Sequence, residues 1–173
     1  MNVAARPAPT LRRAYFDCRF GQLHVYQAIP PGGGFDEATT VICVPGADGT
    51  AAVFVPWLPL LGGDRSMFAI DLPGAGMSDA ARGGDRPANA AAAIGDFMAN
   101  MHIRRADLLA RAGAADVLHA LLAAVPGAFG KLVVWDEGAA LKRLGAAAEL
   151  PRLLLDAAAP PSAQLAQLRQ FLG

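Results

Sequence analysis

Asp71-Leu72-Pro73-Gly74-Ala75-Gly76-Met77-Ser78-Asp79 follows directly on the apolar run Ser66-Met67-Phe68-Ala69-Ile70. The run is short and uncharged, which suits a strand buried on both faces, and Pro73-Gly74 then stops it. Gly74 and Gly76 let the backbone turn where a side chain would block its path. A strand that breaks into such a loop predicts a sheet whose working loops gather at the carboxyl ends of its strands.

The same punctuation recurs on either side. Upstream, Thr39-Thr40-Val41-Ile42-Cys43-Val44 is a β-branched strand ended by Pro45-Gly46. Between the two strands, Val53, Phe54, Trp57, Leu58 and Leu61 recur at helical spacing. Thr50 is the expected N-cap of that helix, and Pro59 the residue that shortens it. Residues 12–29 read as a β-hairpin turning near Gly21, and residues 1–11 as a flexible N-terminus. Downstream, Pro87 opens a helix with Ile94, Phe97, Met98 and Met101 on one face. Strand Asp107–Ala110, the helix of Val117, Leu118, Leu121, Leu122 and Val125, and strand Lys131–Asp136 follow. An Ala-rich helix is expected over 137–147, then a strand Pro151–Asp156 and a closing helix with Leu165, Leu168 and Leu172. Strands alternating with helices at this spacing predict right-handed βαβ crossovers. The expected fold is therefore α/β: one domain over 1–173, a three-layer sandwich, with a mostly parallel sheet and an antiparallel N-terminal hairpin.

Composition narrows the function classes. Of 173 residues, 54% are hydrophobic and 17% charged, and net charge is zero. That balance gives no electrostatic footprint for nucleic acid or an anionic membrane. No signal peptide or spanning segment is visible, so a cytoplasmic location is expected. Cys18 and Cys43 lack metal-site spacing and read as reduced core residues. No P-loop, dinucleotide fingerprint or His/Cys cluster is present, so neither a cofactor nor a metal is expected.

The Asp71–Asp79 segment resembles the D-x-P-G-x-G-x-S-D loop after the fourth strand of α/β hydrolases. The neighbouring segments match in order: Val41–Gly46 resembles the strand leading to the family's oxyanion loop, and Ile103–Leu109 the approach to the nucleophile elbow. The resemblance runs from about Tyr15 to Asp136 and implies an α/β-hydrolase-like sheet, here C-terminally truncated and without a cap domain.

Carried over by position, the family's G-x-S-x-G elbow becomes Ala110-Arg111-Ala112-Gly113-Ala114. Ala112 occupies the nucleophile position, and a methyl group cannot attack a carbonyl. The three serines, Ser66, Ser78 and Ser162, lie elsewhere. Ser78 has the loop-supporting role that the resemblance implies. No histidine follows His119, so the catalytic base is missing as well, and His24, His102 and His119 read as structural or solvent-exposed. Asp136 and Asp156, each ending a strand, are candidate positions for the acid, which has no triad role without a histidine to orient.

What remains is a candidate binding cleft. The backbone N–H of Gly113, with that of Ala47 or Asp48, can converge on an anion. Asp48 is also a plain turn residue. Arg111 can bind a carboxylate, or pair with Asp48 or Asp136. The expected function is a non-catalytic hydrolase-like protein that binds a small molecule or a protein partner, as a homodimer or an accessory subunit. One alternative is acid–base chemistry without a covalent intermediate, such as isomerisation, cyclisation or a lyase step, with Asp48, Arg111 and Asp136 as its residues. A residual esterase is the third reading.

Overall fold

A computed structural model of the chain describes residues 8–33, 38–111, 113–136 and 150–173. β1 (Thr10–Cys18) and β2 (Gly21–Ile29) form the expected antiparallel hairpin. β1 starts earlier than predicted: Thr10 and Leu11, assigned above to a flexible N-terminus, pair with Ile29 and Ala28. β3 (Thr40–Val44), β4 (Met67–Ile70), β5 (Ala106–Arg111), β6 (Phe129–Asp136) and β7 (Arg152–Asp156) complete one seven-stranded sheet in the order β1-β2-β4-β3-β5-β6-β7. β2 joins β4 antiparallel, and every later pairing is parallel.

Alternation along each strand sends side chains to opposite faces, and each face is covered. On one face α2 (Arg86–Asn100) and α3 (Ala115–Ala124) bury Ile94, Phe97, Leu118 and Leu121 against Leu23, Ile42, Phe68 and Leu108. On the other, a 3₁₀ segment Ala51–Trp57, the short α1 (Leu58–Leu61) and α4 (Pro161–Leu172) bury Phe54, Leu61 and Leu168 against Val41, Cys43, Leu109 and Val133. Each fully buried Leu, Ile or Phe in these layers contributes about 1.5–3 kcal/mol. The helix expected over 137–147 lies outside the described residues.

Helix ends follow local chemistry. The Asp85 carboxylate accepts from the Ala88 N–H at 3.1 Å and starts α2, with Pro87 in its first turn. The other end of α2 closes with His102 N–H on Ala99 O and Ile103 N–H on Met98 O, while His102 holds φ +55°. The helix expected after Thr50 is mostly 3₁₀, with Pro56 inside it, and Thr50 does not cap it. Lys131 Nζ donates to the carbonyls of Phe171 and Leu172, holding the end of α4. Among the described residues no helix is long and apolar enough to cross a membrane.

The strand order carries one functional consequence. From β3 the chain crosses to β4 on one side, and from β5 it runs to β6 on the other. The adjacent carboxyl ends of β3 and β5 therefore form the topological switch point, the position at which open α/β sheets commonly bind ligands.

Candidate functional site

Two turns define the crevice and its flank. The first is the loop after β4, organised by Asp71, which is buried beneath it. One carboxyl oxygen accepts the Ala51 N–H at 2.6 Å, and the other accepts the Met77 N–H at 3.1 Å and meets His24 Nδ1 at 2.8 Å. The group thus ties the hairpin, the start of the 3₁₀ segment and its own loop together. Asp71 supplies the cap expected from Thr50, whose hydroxyl instead donates to Asp48 at 3.4 Å. Ser78 extends the network: its hydroxyl donates to Asp71 O at 2.7 Å and accepts the His24 N–H at 2.9 Å. At Gly76, with φ +53°, an added Cβ would collide with the Asp71 carboxyl. Ser78 is therefore a loop support, as the sequence implied, and His24 is a buried structural partner.

The second turn follows β5. Ala110 and Ala114 are buried, with Arg111 and Gly113 between them on either side of residue 112. Ala112 itself lies outside the described residues. Gly113 has φ +83°, and a Cβ there would stand 3.3 Å from the Ala47 backbone nitrogen. The loop after β3 and the turn after β5 are therefore in contact across the switch point, as an anion site shared by Ala47 and Gly113 requires. Asp48 is exposed beside them.

Among the described side chains Arg111 is not joined to Asp48, and the Asp136 side chain lies outside what is described. Its guanidinium carbon lies 4.7 Å from the centre of the Trp135 ring, and Trp135 packs edge-on to Trp57 with centroids 5.2 Å apart. The Trp135 Nε1 is buried with no hydrogen-bond partner among the described residues. This Arg–Trp–Trp stack was missed in the sequence, where Trp57 and Trp135 read as core or cleft wall. The side chain of Asp136 lies outside what is described, so the set Asp48, Arg111 and Asp136 is not seen to converge.

The remaining candidates sit elsewhere. Ser66 is buried at the start of β4 and Ser162 is exposed on α4. Cys43 is buried in β3, where burial pushes its thiol well up, and Cys18, also raised by burial, lies in β1; both are unbridged. His102 is exposed in the turn before β5, and His119 is half-buried in α3. Asp107, raised by burial against the Lys131 N–H that it accepts at 2.8 Å, stands at the opposite end of β5 from the crevice. Among the described residues no group of three His, Cys, Asp or Glu could hold a metal ion.

Comparison with solved structures places this geometry. An α/β hydrolase from Novosphingobium aromaticivorans matches with TM-score 0.61 at 22% identity, covering 72% of this chain and 43% of that one. The chain carries a partial α/β-hydrolase fold. The carboxylesterase CesB of Bacillus subtilis matches with TM-score 0.61 at 19% identity, covering 72% of this chain and 42% of that one. The epoxide hydrolase CorEH matches with TM-score 0.64 at 12% identity, covering 73% and 42%. No family model and no curated protein matches the sequence. The chain spans less than half the length of these structures, whose named reactions differ, so the shared fold fixes the sheet and its loops and not the chemistry.

Proposed function

We propose that the protein is a non-catalytic α/β-hydrolase-like binding module, using the crevice between the β3 and β5 loops for a small molecule, with a protein partner as its second means of action. The observation that carries this reading is the residue between Arg111 and Gly113. The strand, the positive-φ glycine and the contact with Ala47 support reading this as the family's nucleophile turn, and the residue between Arg111 and Gly113 is alanine. Ser66, Ser78, Ser162 and both cysteines lie in other segments, so no side chain in this turn can form an acyl intermediate. Arg111, held over Trp135 at the edge of the turn, is the group suited to a carboxylate or another anion, and the N–H groups of Gly113 and Ala47 are neighbours to it. Asp48 then lies outward in its turn.

The test is an activated-ester assay on the wild type and on Ala112→Ser, run with a serine-reactive fluorophosphonate probe. The wild type is expected to hydrolyse p-nitrophenyl esters at the buffer rate and to take no label. Turnover well above buffer, with a labelled residue, would overturn the reading and identify the true nucleophile.

A further inference from the structure

We infer that the groove between the N-terminal hairpin and the 3₁₀ segment is a second binding site, which takes an amphiphile with one carboxylate head, such as a medium-chain fatty-acid anion. Residues directly opposite in an antiparallel pair share a face of the sheet, so Leu11 and Ala28 lie on the same side as Arg13 and Tyr26. Tyr26 also stands opposite Ala69, which packs in the layer beneath the 3₁₀ segment, and this fixes which side it is. Leu11, Arg13 and Tyr26 form one wall of the groove, and Ala52, Val55 and Leu58 form the other. Arg12 and Gln27 border it, although alternation sends their side chains to the other face. The groove holds about 540 Å³, which falls within the roughly 300–1,000 Å³ of small-molecule sites.

The walls suit an apolar chain. Leu11 and Val55 are 51% and 38% exposed, and Leu58 is buried behind them. A tail laid between the walls therefore removes apolar area from water on both sides, which is favourable in proportion to that area. One wall is also fixed in advance. The Tyr26 ring meets His24 edge-on with centroids 4.6 Å apart, and His24 is anchored by Asp71 at 2.8 Å. A ring already held in place costs little further ordering when a ligand packs on it.

The charge of the groove selects the head group. No carboxylate is among its lining residues, and among the described residues none pairs with Arg13. The guanidinium is thus an exposed, uncommitted cation beside an apolar wall, with the Tyr26 hydroxyl group on the same face. Its parallel N–H donors match the two oxygens of a carboxylate, so the head sits at Arg13 and the tail runs along Leu11, Val55 and Leu58. A cationic head of the same size is repelled there. β4 and β3 separate this groove from β5, so the site is distinct from the one between the β3 and β5 loops and does not rest on it.

The test is an NMR titration of the backbone amides with sodium decanoate, repeated with decyltrimethylammonium, which carries the opposite charge on the same tail. Decanoate is expected to bind with a Kd of about 10⁻⁴ M, as suits so small a ligand, and to shift the amides of Leu11, Arg13, Tyr26 and Val55. Decyltrimethylammonium is expected to bind tenfold or more weakly. Arg13→Gln is expected to weaken decanoate binding at least tenfold, and Arg13→Lys to recover part of the loss, with thermal unfolding confirming that each variant is folded. Should Arg13→Gln unfold, Val55→Asp, which sets a carboxylate against the tail, replaces it and is expected to abolish saturable binding. Shifts centred on Ala47 and Gly113, shifts scattered over the whole surface, or no saturable shift below the micellar concentration overturn the inference. Binding that ignores the head-group charge or the substitutions overturns it too. The ester assay reads residue 112 and not this groove, so failure here and failure of the non-catalytic reading are distinguishable.

Discussion

The turn after β4 and the turn after β5 stand close together at the carboxyl ends of the sheet, and they have kept different things. In the first, every conspicuous residue is used for its hydrogen bonds or its shape. Asp71 gathers Ala51, Met77 and His24, Ser78 ties β2 to the strand end, and Gly76 leaves room for the carboxyl. In the second, Gly113 holds a positive φ beside the Ala47 backbone, and the residue before it is alanine, the one that the proposed reading sets at the nucleophile position. The contrast separates two demands that a catalytic fold makes on the same surface. Folding requires the first turn, since a buried carboxyl and its donors must be satisfied together. Nothing in folding requires a hydroxyl at residue 112, so the sheet stands with alanine there.

The largest effect expected from breaking this contrast is at Asp71. Asp71→Ala strips the acceptor from two backbone N–H groups and from His24 in a buried site. The expected loss is about 3 kcal/mol or more, because each orphaned buried donor costs roughly 1–3 kcal/mol. Chemical denaturation reads this directly, and a loss under about 1 kcal/mol would mean that the loop is not the structural hub described here.

Gly113→Ala comes next and tests the retained geometry of the second turn. An alanine at φ +83° costs about 1–2 kcal/mol. Its Cβ would also press on the Ala47 nitrogen from 3.3 Å. The expected outcome is a measurable destabilisation, smaller than that of Asp71→Ala, together with weakened binding of any anion in the crevice. A stability equal to wild type would show that the contact between the two loops is slack, and the case for a shared anion site would fall with it.

How much of this was legible in the sequence depended on whether the determinant was local. β3 and β4 announced themselves by short apolar runs closed by Pro-Gly, and β3, β4, β6 and β7 fall within a residue or two of their expected bounds. The hairpin was visible in its alternation, although Thr10 and Leu11 were left out because strand pairing, a distant contact, is what orders them. Ser78 was placed correctly because the D-x-P-G-x-G-x-S-D spacing carries its role. The stack of Arg111 on Trp135 and Trp57 was not legible, since its members come from β5, β6 and the 3₁₀ segment and meet only in the folded sheet. By charge alone the sequence offered Asp48 and Asp136 as partners of Arg111, a criterion blind to the aromatic face that a guanidinium also favours.

The smallest expected effect is at Thr50, and it separates local reasoning from tertiary structure most cleanly. By sequence, Thr50 stands where an N-cap belongs, and removing a true Thr cap costs about 1 kcal/mol. In the fold its hydroxyl reaches only the exposed Asp48 carboxylate, at 3.4 Å, and the first N–H of the segment is taken by Asp71 at 2.6 Å. The 3₁₀ segment is thus started by a carboxyl from the loop after β4, which leaves the threonine hydroxyl without structural work. Thr50→Ala is therefore expected to change stability by no more than about 0.5 kcal/mol, the range for surface substitutions away from special features. In the Asp71→Ala background the same substitution would gain in effect if the hydroxyl can turn to the vacated N–H, and a double-mutant cycle measures that coupling. A full capping loss from Thr50→Ala alone would return the start of the segment to Thr50 and reduce Asp71 to a partner of His24 and Met77.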